Sequence, residues 1–316
     1  MKCLTGLLLL CCFAASGARA GCTLAAAGSP ASFGTVSSNL VYSAAQSTSI
    51  LSAGLSCTPA GIELFSTAFF KATFTSSQTG MVGPTGDVIA YTMYPNTGNG
   101  HPITRGTAFD FTSYGLVGHN APSAIPLYFT TTVNNVAAGI YTETLNVLWS
   151  WYYCTGLSIG NICILSDSGT NKPSTLTVSM TVANDCTITA ANIAFGSAPV
   201  VSAFTTVSQT ASVACTKGSA YTVGFNDGLQ PVSAGGRRRL KSGTNYLAYD
   251  IFQSAGTTRW GSVGAARRAS STAEVNPGNG LGTGSQIFNL NAKIYTDQAT
   301  PPVGTYTDSV VLDVAF

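Results

Sequence analysis

Few residues in this 316-residue chain carry reactive side chains: nine cysteines, two histidines, twelve acids and fourteen bases. His101 and His119 lie in loop-like stretches, and neither has a Cys, Asp or Glu beside it at metal-ligand spacing. No nucleophile elbow or comparable motif marks a Ser/His/Asp site. The dense run Arg237-Arg238-Arg239-Leu240-Lys241 raises the question of anionic partners, but it sits among Gly and Ser in a loop. A structural or subunit-contact role is expected for it, with no nucleic acid partner. The Gly-rich stretch from Asn276 to Gly284 reads as turns, because no helix follows to cradle a phosphate. No cofactor and no metal is implied, which leaves the cysteines as the chemistry.

What the thiols do depends on the compartment. Residues 1–20 have a basic start at Lys2, an apolar run from Leu7 to Ala15, and Ala18-Arg19-Ala20 before Gly21. That is the form of a secretory signal peptide, too short and wrongly flanked to span a membrane. Cys3, Cys11 and Cys12 leave with it, and Cys22, Cys57, Cys154, Cys163, Cys186 and Cys215 remain. An even count in an exported chain points to disulfides. A rival reading takes Gly21-Cys22 as a lipidation site; Arg19 stands against it, where such a site wants an aliphatic residue.

The elements that must hold these cysteines follow from composition and pattern. Only 8% of residues are charged and 45% are hydrophobic, and abundant Thr, Val, Tyr and Phe favour pleated, half-buried surfaces over amphipathic helices. No segment has a sustained helical period with caps. The chain also repeats itself. Cys22-Thr23-Leu24, Phe33-Gly34 and Cys57 correspond to Cys186-Thr187-Ile188, Phe195-Gly196 and Cys215, and Gly139-Ile140-Tyr141-Thr142-Glu143 corresponds to Gly304-Thr305-Tyr306-Thr307-Asp308. Two copies of one β domain are expected, at 21–183 and 184–316, each an immunoglobulin-like sandwich of short strands. The repeat favours Cys22 with Cys57 and Cys186 with Cys215, leaving Cys154 and Cys163 to close a local loop, although other pairings are formally possible.

The copies differ at their ends. After its Gly-x-Tyr-Thr strand the first continues with Leu176, Val178, Met180 and Val182 in alternation, a further core strand. The second ends on GTYTDSVVLDVAF, where Tyr306, Val310, Leu312, Val314 and Phe316 share one face, Asp308 and Val311 break the pattern, and no strand follows. The fold expected is all-β, two sandwiches with the C-terminal one lacking its last strand.

The second half, with Cys186, Phe195-Gly196, Cys215-Thr216-Lys217-Gly218, the arginine run, Leu247-Ala248-Tyr249, Thr257-Thr258-Arg259-Trp260-Gly261 and Gly304-Thr305-Tyr306-Thr307-Asp308, resembles the spore coat U domain family. The first half matches more weakly, at its cysteines and Gly-x-Tyr-Thr. That family includes secreted subunits of archaic chaperone-usher pili. The resemblance implies donor-strand complementation, in which a periplasmic chaperone and then the next pilin subunit, passed through an outer-membrane usher, lend the missing strand. It implies an acceptor groove bordered by Val310, Leu312, Val314 and Phe316 on one side and the strand around Ile188 on the other. With only Gly21 ahead of Cys22, the chain can accept a strand but has none to give. This resembles the two-domain tip adhesin of such a pilus, at the cell surface, binding abiotic or host surfaces and supporting biofilm.

The loop leading into the first copy's last strand should lie at the distal end. It carries Leu157, Ile159 and Ile162 inside the Cys154/Cys163 clamp and Ile164 and Leu165 just after it, an apolar finger for surface attachment, with Tyr114, Leu116 and Val117 in a loop beside it. The alternative is that these aliphatics fold back onto the core. Two other functional classes stand beside the adhesin: a structural coat or matrix protein, and a secreted carbohydrate-binding module or enzyme. The scarcity of Asp and Glu argues against the latter.

Overall fold

The computed structural model describes residues 21–58, 68–115, 122, 124–156, 158–159 (backbone alone) and 162–316; the expected signal segment, 1–20, lies outside them. Buried side chains form two separate clusters, one drawn from residues between Ala31 and Val182 and one from residues between Val201 and Ile294. Around each wraps an immunoglobulin-like sandwich.

The first unit begins with β1 (Cys22–Leu24), β2 (Ala31–Ser37), the short helix α1 (Ser38–Ser43), β3 (Ser47–Ile50), β4 (Leu55–Cys57) and β5 (Phe69–Thr75). It continues through β6 (Met81–Val82), β7 (Val88–Ile89), β8 (Tyr91–Tyr94), β9 (Phe109–Asp110) and β10 (Leu127–Thr131), then β11 (Gly139–Cys154), β12 (Ser158–Ile159), β13 (Ile162–Cys163) and β14 (Ser166–Ala183). The second unit has β15 (Cys186–Ala190), β16 (Val207–Cys215), β17 (Thr222–Phe225), β18 (Arg238–Ser242), β19 (Asn245–Gln253), β20 (Arg268–Ala269), β21 (Gln286–Ile294) and β22 (Leu312–Ala315). Helix α1 is the one α-helix among the described residues. It is a single turn and a half that Ser37 caps by accepting from the Leu40 N–H.

Strand β11 explains why these sequences become strands. Tyr141, Leu145, Val147, Trp149 and Trp151 are buried while Thr142, Thr144, Asn146 and Leu148 alternate outward, the period of two that a pleated surface needs. In the first unit the main sheet runs β2-β14-β11-β5-β9. Strand β14 is held on both edges, antiparallel to β11 and parallel to β2. In the second unit one sheet runs β15-β16-β21-β19-β18 and the other β20-β17-β22. Strand β22, the counterpart of β11, pairs with β17 on one edge only; among the described residues no strand lies along the other, where β14 lies in the first unit.

The repeat motifs meet the same geometric demands twice. Cys22 faces Cys57 across β1 and β4, Cys186 faces Cys215 across β15 and β16, and both pairs are disulfides, as is Cys154 with Cys163. Tyr141 and Tyr306 each donate a 2.7 Å hydrogen bond to the carbonyl four residues upstream, Ala137 and Pro302. These are tyrosine corners, which fix how the chain enters its strand, and burial pushes the Tyr141 phenol up to about 12.

Only Asn184 and Asp185 separate β14 from β15, and side chains lock the units together there. The Ser38 and Thr216 hydroxyls share a buried 2.6 Å hydrogen bond, the Asn135 amide donates to the Leu281 carbonyl at 2.9 Å, and Lys217 pairs with Asp87 at 2.6 Å. Burial alone would raise the Asp87 carboxyl, but Lys217, the Ala137 N–H and Thr85 outweigh it and hold the group below its ordinary value of 3.8. A carboxyl depressed on folding contributes stability above its unfolded pKa and loses it as pH falls toward the folded one. The junction should therefore loosen as pH drops below 3.8, seen as wider inter-unit spacing in small-angle scattering. Lys217→Met should produce the same widening at neutral pH.

Candidate functional site

One edge of β22 carries no strand among the described residues. Val310, Leu312 and Val314 are partly buried against the second cluster, whereas Phe316 is 57% exposed. In the first unit the corresponding edge is filled by β14, which lies against β2 and its Phe33-Gly34. The counterpart is the stretch Ile193 to Val201 with Phe195-Gly196. It belongs to no strand, and with Phe204, Leu240, Leu247 and Thr300 to Tyr306 it walls a cavity of about 500 Å³. Ile188 sits elsewhere, 37% exposed on β15 opposite Val213, and does not line that cavity. The sequence counterpart of the Ile193 to Val201 stretch in the first unit is the repeated Phe-Gly, although IAFGSAPVVSAF does not alternate like a strand.

Asp308, which breaks the alternation, has a physical reason to face inward. Its carboxylate accepts from the Tyr249 hydroxyl at 2.8 Å and from the Leu229 and Ser309 N–H groups at 2.9 Å. Burial, and then this carboxylate, raise the Tyr249 phenol. Val88-Ile89-Ala90-Tyr91-Thr92-Met93-Tyr94 corresponds to Tyr246-Leu247-Ala248-Tyr249-Asp250-Ile251-Phe252, and Glu143 to Asp308, which puts Tyr91 and Glu143 at the same places in the first unit. There Glu143 is buried and held by both guanidinium nitrogens of Arg105, which also lies 5.0 Å over the Tyr91 ring. Each unit thus keeps one carboxylate near the start of its Gly-x-Tyr strand, buried in the first and partly buried in the second, satisfied by nearby donors.

At the other end of the first unit stands the cysteine-clamped loop. The Thr155 and Gly156 N–H groups donate to the Leu165 carbonyl at 2.7 and 3.2 Å, and β12 pairs with β13 inside the Cys154–Cys163 bridge. Ile162, Ile164 and Leu165 are 72, 67 and 65% exposed. Below them Asp167 accepts from the Trp151 indole and the Cys22 N–H, both at 2.8 Å, which anchors the hairpin to β1. Leu157, Leu116, Val117 and His119 lie outside the described residues, as does the Ile159 side chain. Tyr114 is half exposed, its ring 4.2 Å from His101 and 5.2 Å from Phe109. Since β14 rises about 3.3 Å per residue over 18 residues, the hairpin stands roughly 55 Å from the junction.

The three consecutive arginines have three different surroundings. Arg237 pairs with exposed Asp297 and lies 3.7 Å over the Tyr295 ring. Arg238 is fully buried against Asp250, and Arg239 donates to the Gln230 and Pro231 carbonyls. The run, expected in a loop from its sequence, lies from Arg238 on in strand β18, paired with β19, and is spent largely on the fold.

The Spore Coat Protein U domain family matches residues 10–148 and 172–313. A chain of the "CsuC-CsuE chaperone-tip adhesion subunit pre-assembly complex from archaic chaperone-usher Csu pili of Acinetobacter baumannii" is similar over 93% of this chain and 100% of that chain, at 27% identity and a TM-score of 0.62. The CupB6 tip adhesin from Pseudomonas aeruginosa aligns over 93% of this chain and 94% of that chain, at 14% identity and a TM-score of 0.31. No curated protein matches significantly.

Proposed function

The chain belongs to the Spore Coat Protein U domain family, and from that premise we propose that it is the tip adhesin of an archaic chaperone-usher pilus. In this reading residues 21–183 bind the surface and residues 184–316 join the fibre. One observation carries it: the strand slot that β14 fills in the first unit is open beside β22 in the second. An open apolar slot invites an added strand, whose backbone supplies affinity and whose alternate side chains fill pockets. Left uncovered, it is an aggregation hazard. A periplasmic chaperone therefore covers it first and the next pilin subunit afterwards, with an outer-membrane usher between the two steps. The work is binding at the cell surface, with no catalysis.

The adhesive surface in this reading is the distal hairpin, with Leu157, Ile159, Ile162, Ile164 and Leu165, and beside it Tyr114, Leu116 and Val117. Ile162, Ile164 and Leu165, exposed at the disulfide-clamped hairpin, suit contact with abiotic or host surfaces and biofilm formation. Ile162→Asp with Ile164→Asp should reduce attachment to plastic about tenfold or more, with pili still assembled on the cell. Full attachment by that variant would remove the hairpin from the mechanism.

A further inference from the structure

The first unit displays the occupant of its own slot. Along β14, Val182, Met180, Val178 and Leu176 turn inward opposite Gly139, Tyr141, Glu143 and Leu145. One step further the inward residue is Ser174, buried opposite Val147, and its hydroxyl accepts the Trp149 indole N–H at 3.1 Å. The repeat aligns Gly139 to Trp151 with Gly304 to Phe316, so Tyr141 falls on Tyr306, Leu145 on Val310, Val147 on Leu312 and Trp149 on Val314. Where the first slot offers an indole donor, the second offers an isopropyl group.

We infer that the second slot takes a strand in the register β14 holds in the first, with an apolar side chain opposite Leu312 where β14 carries Ser174. The slot thereby discriminates against the chain's own β14. This rests on the acceptor reading above and adds the partner's register and chemistry to it. Direction follows from the first unit: the strand runs antiparallel to β22 and parallel to the Ile193 to Val201 wall. The cavity of about 500 Å³ lies at the Tyr306 end, the level at which Met180 and Val182 sit in the first unit. The incoming strand therefore carries its bulkiest side chains toward its C-terminal end. A serine opposite Leu312 loses the donor that Trp149 supplies, and a buried hydroxyl without its partner weakens binding about ten- to a hundredfold. Discrimination matters because β14 meets two similar slots while the chain folds.

Two peptides test this with the full exported chain. One copies residues 173–183, PSTLTVSMTVA, and the other differs by Ser174→Val alone; a scrambled peptide is the control. Each is added during refolding, and binding is followed by Trp260 emission, since Trp149 and Trp151 both lie in the first unit. The same pair is compared as displacers of a co-purified chaperone, so that poor refolding alone does not decide the outcome. The valine peptide is expected to bind about tenfold or more tightly than the native one. Equal binding, or preference for the native peptide, overturns the register while leaving the acceptor slot in place. Binding of neither peptide above the scrambled control, in both formats, overturns the acceptor reading and this inference with it.

Discussion

Asp250→Ala is expected to lower the stability of the second unit by about 3–5 kcal/mol. The carboxylate is fully buried and accepts from Arg238 at 2.5 Å, from Arg259 at 3.0 Å and from the Tyr295 hydroxyl at 3.2 Å. Arg238 is equally buried and spends its remaining donors on the carbonyls of Asn226, Phe225 and Trp260 at 2.7–2.9 Å. Those carbonyls satisfy hydrogen bonds but do not neutralise the charge, so removing Asp250 strands a guanidinium in the core. Chemical unfolding followed by Trp260 emission measures the loss, because Trp260 is fully buried and its carbonyl is one of the Arg238 partners. The neighbouring Arg237→Ala removes an exposed pair and should leave the midpoint unchanged. Equal effects from the two substitutions would contradict the division of roles among the arginines.

Trp149→Ala should cost the first unit about 3–5 kcal/mol. The indole is fully buried, stacked 6.1 Å from Phe111 and edge-on at 6.4 Å to Phe74, so truncation opens a large cavity among side chains pinned by two sheets. Trp149→Phe separates packing from hydrogen bonding. It keeps an aromatic body but withdraws the donor from buried Ser174, and about 1–3 kcal/mol should be lost for that group alone. With Trp149→Phe in place, Ser174→Val should recover stability, and unfolding of the first unit followed by circular dichroism would register each step. Absence of recovery in the double variant would mean that the hydroxyl has another donor.

The parts of the fold legible in the sequence are those where geometry demands one residue type. Two cysteines directly across an antiparallel pair, and a tyrosine bonding back four residues from the start of a strand, leave spaced marks that repeat in both halves. The first half of β14 left none. Ser166 to Pro173 is polar and does not alternate, yet it pairs with β11 across a register shift between Trp149 and Trp151, so a neighbour's exposed edge overrode weak local preference. Ile193 to Val200 was hard to read for the opposite reason: it lines a cavity without being a strand, and apart from the repeated Phe-Gly its residues carry no periodic mark. Asp308 appeared as a flaw in the pattern because its partner, Tyr249, lies 59 residues away. The Arg105 partner of Glu143 is likewise 38 residues distant.

The two-residue handover from β14 to β15 has a mechanical consequence. A pull on the second unit enters the first along the axis of β14, whose hydrogen bonds to β11 and β2 lie across that axis. The load is met in shear, many bonds at once, rather than by peeling one bond at a time. Tension along the molecule thus bears on its longest described strand, clamped on both sides near the junction and along β11 all the way to the hairpin.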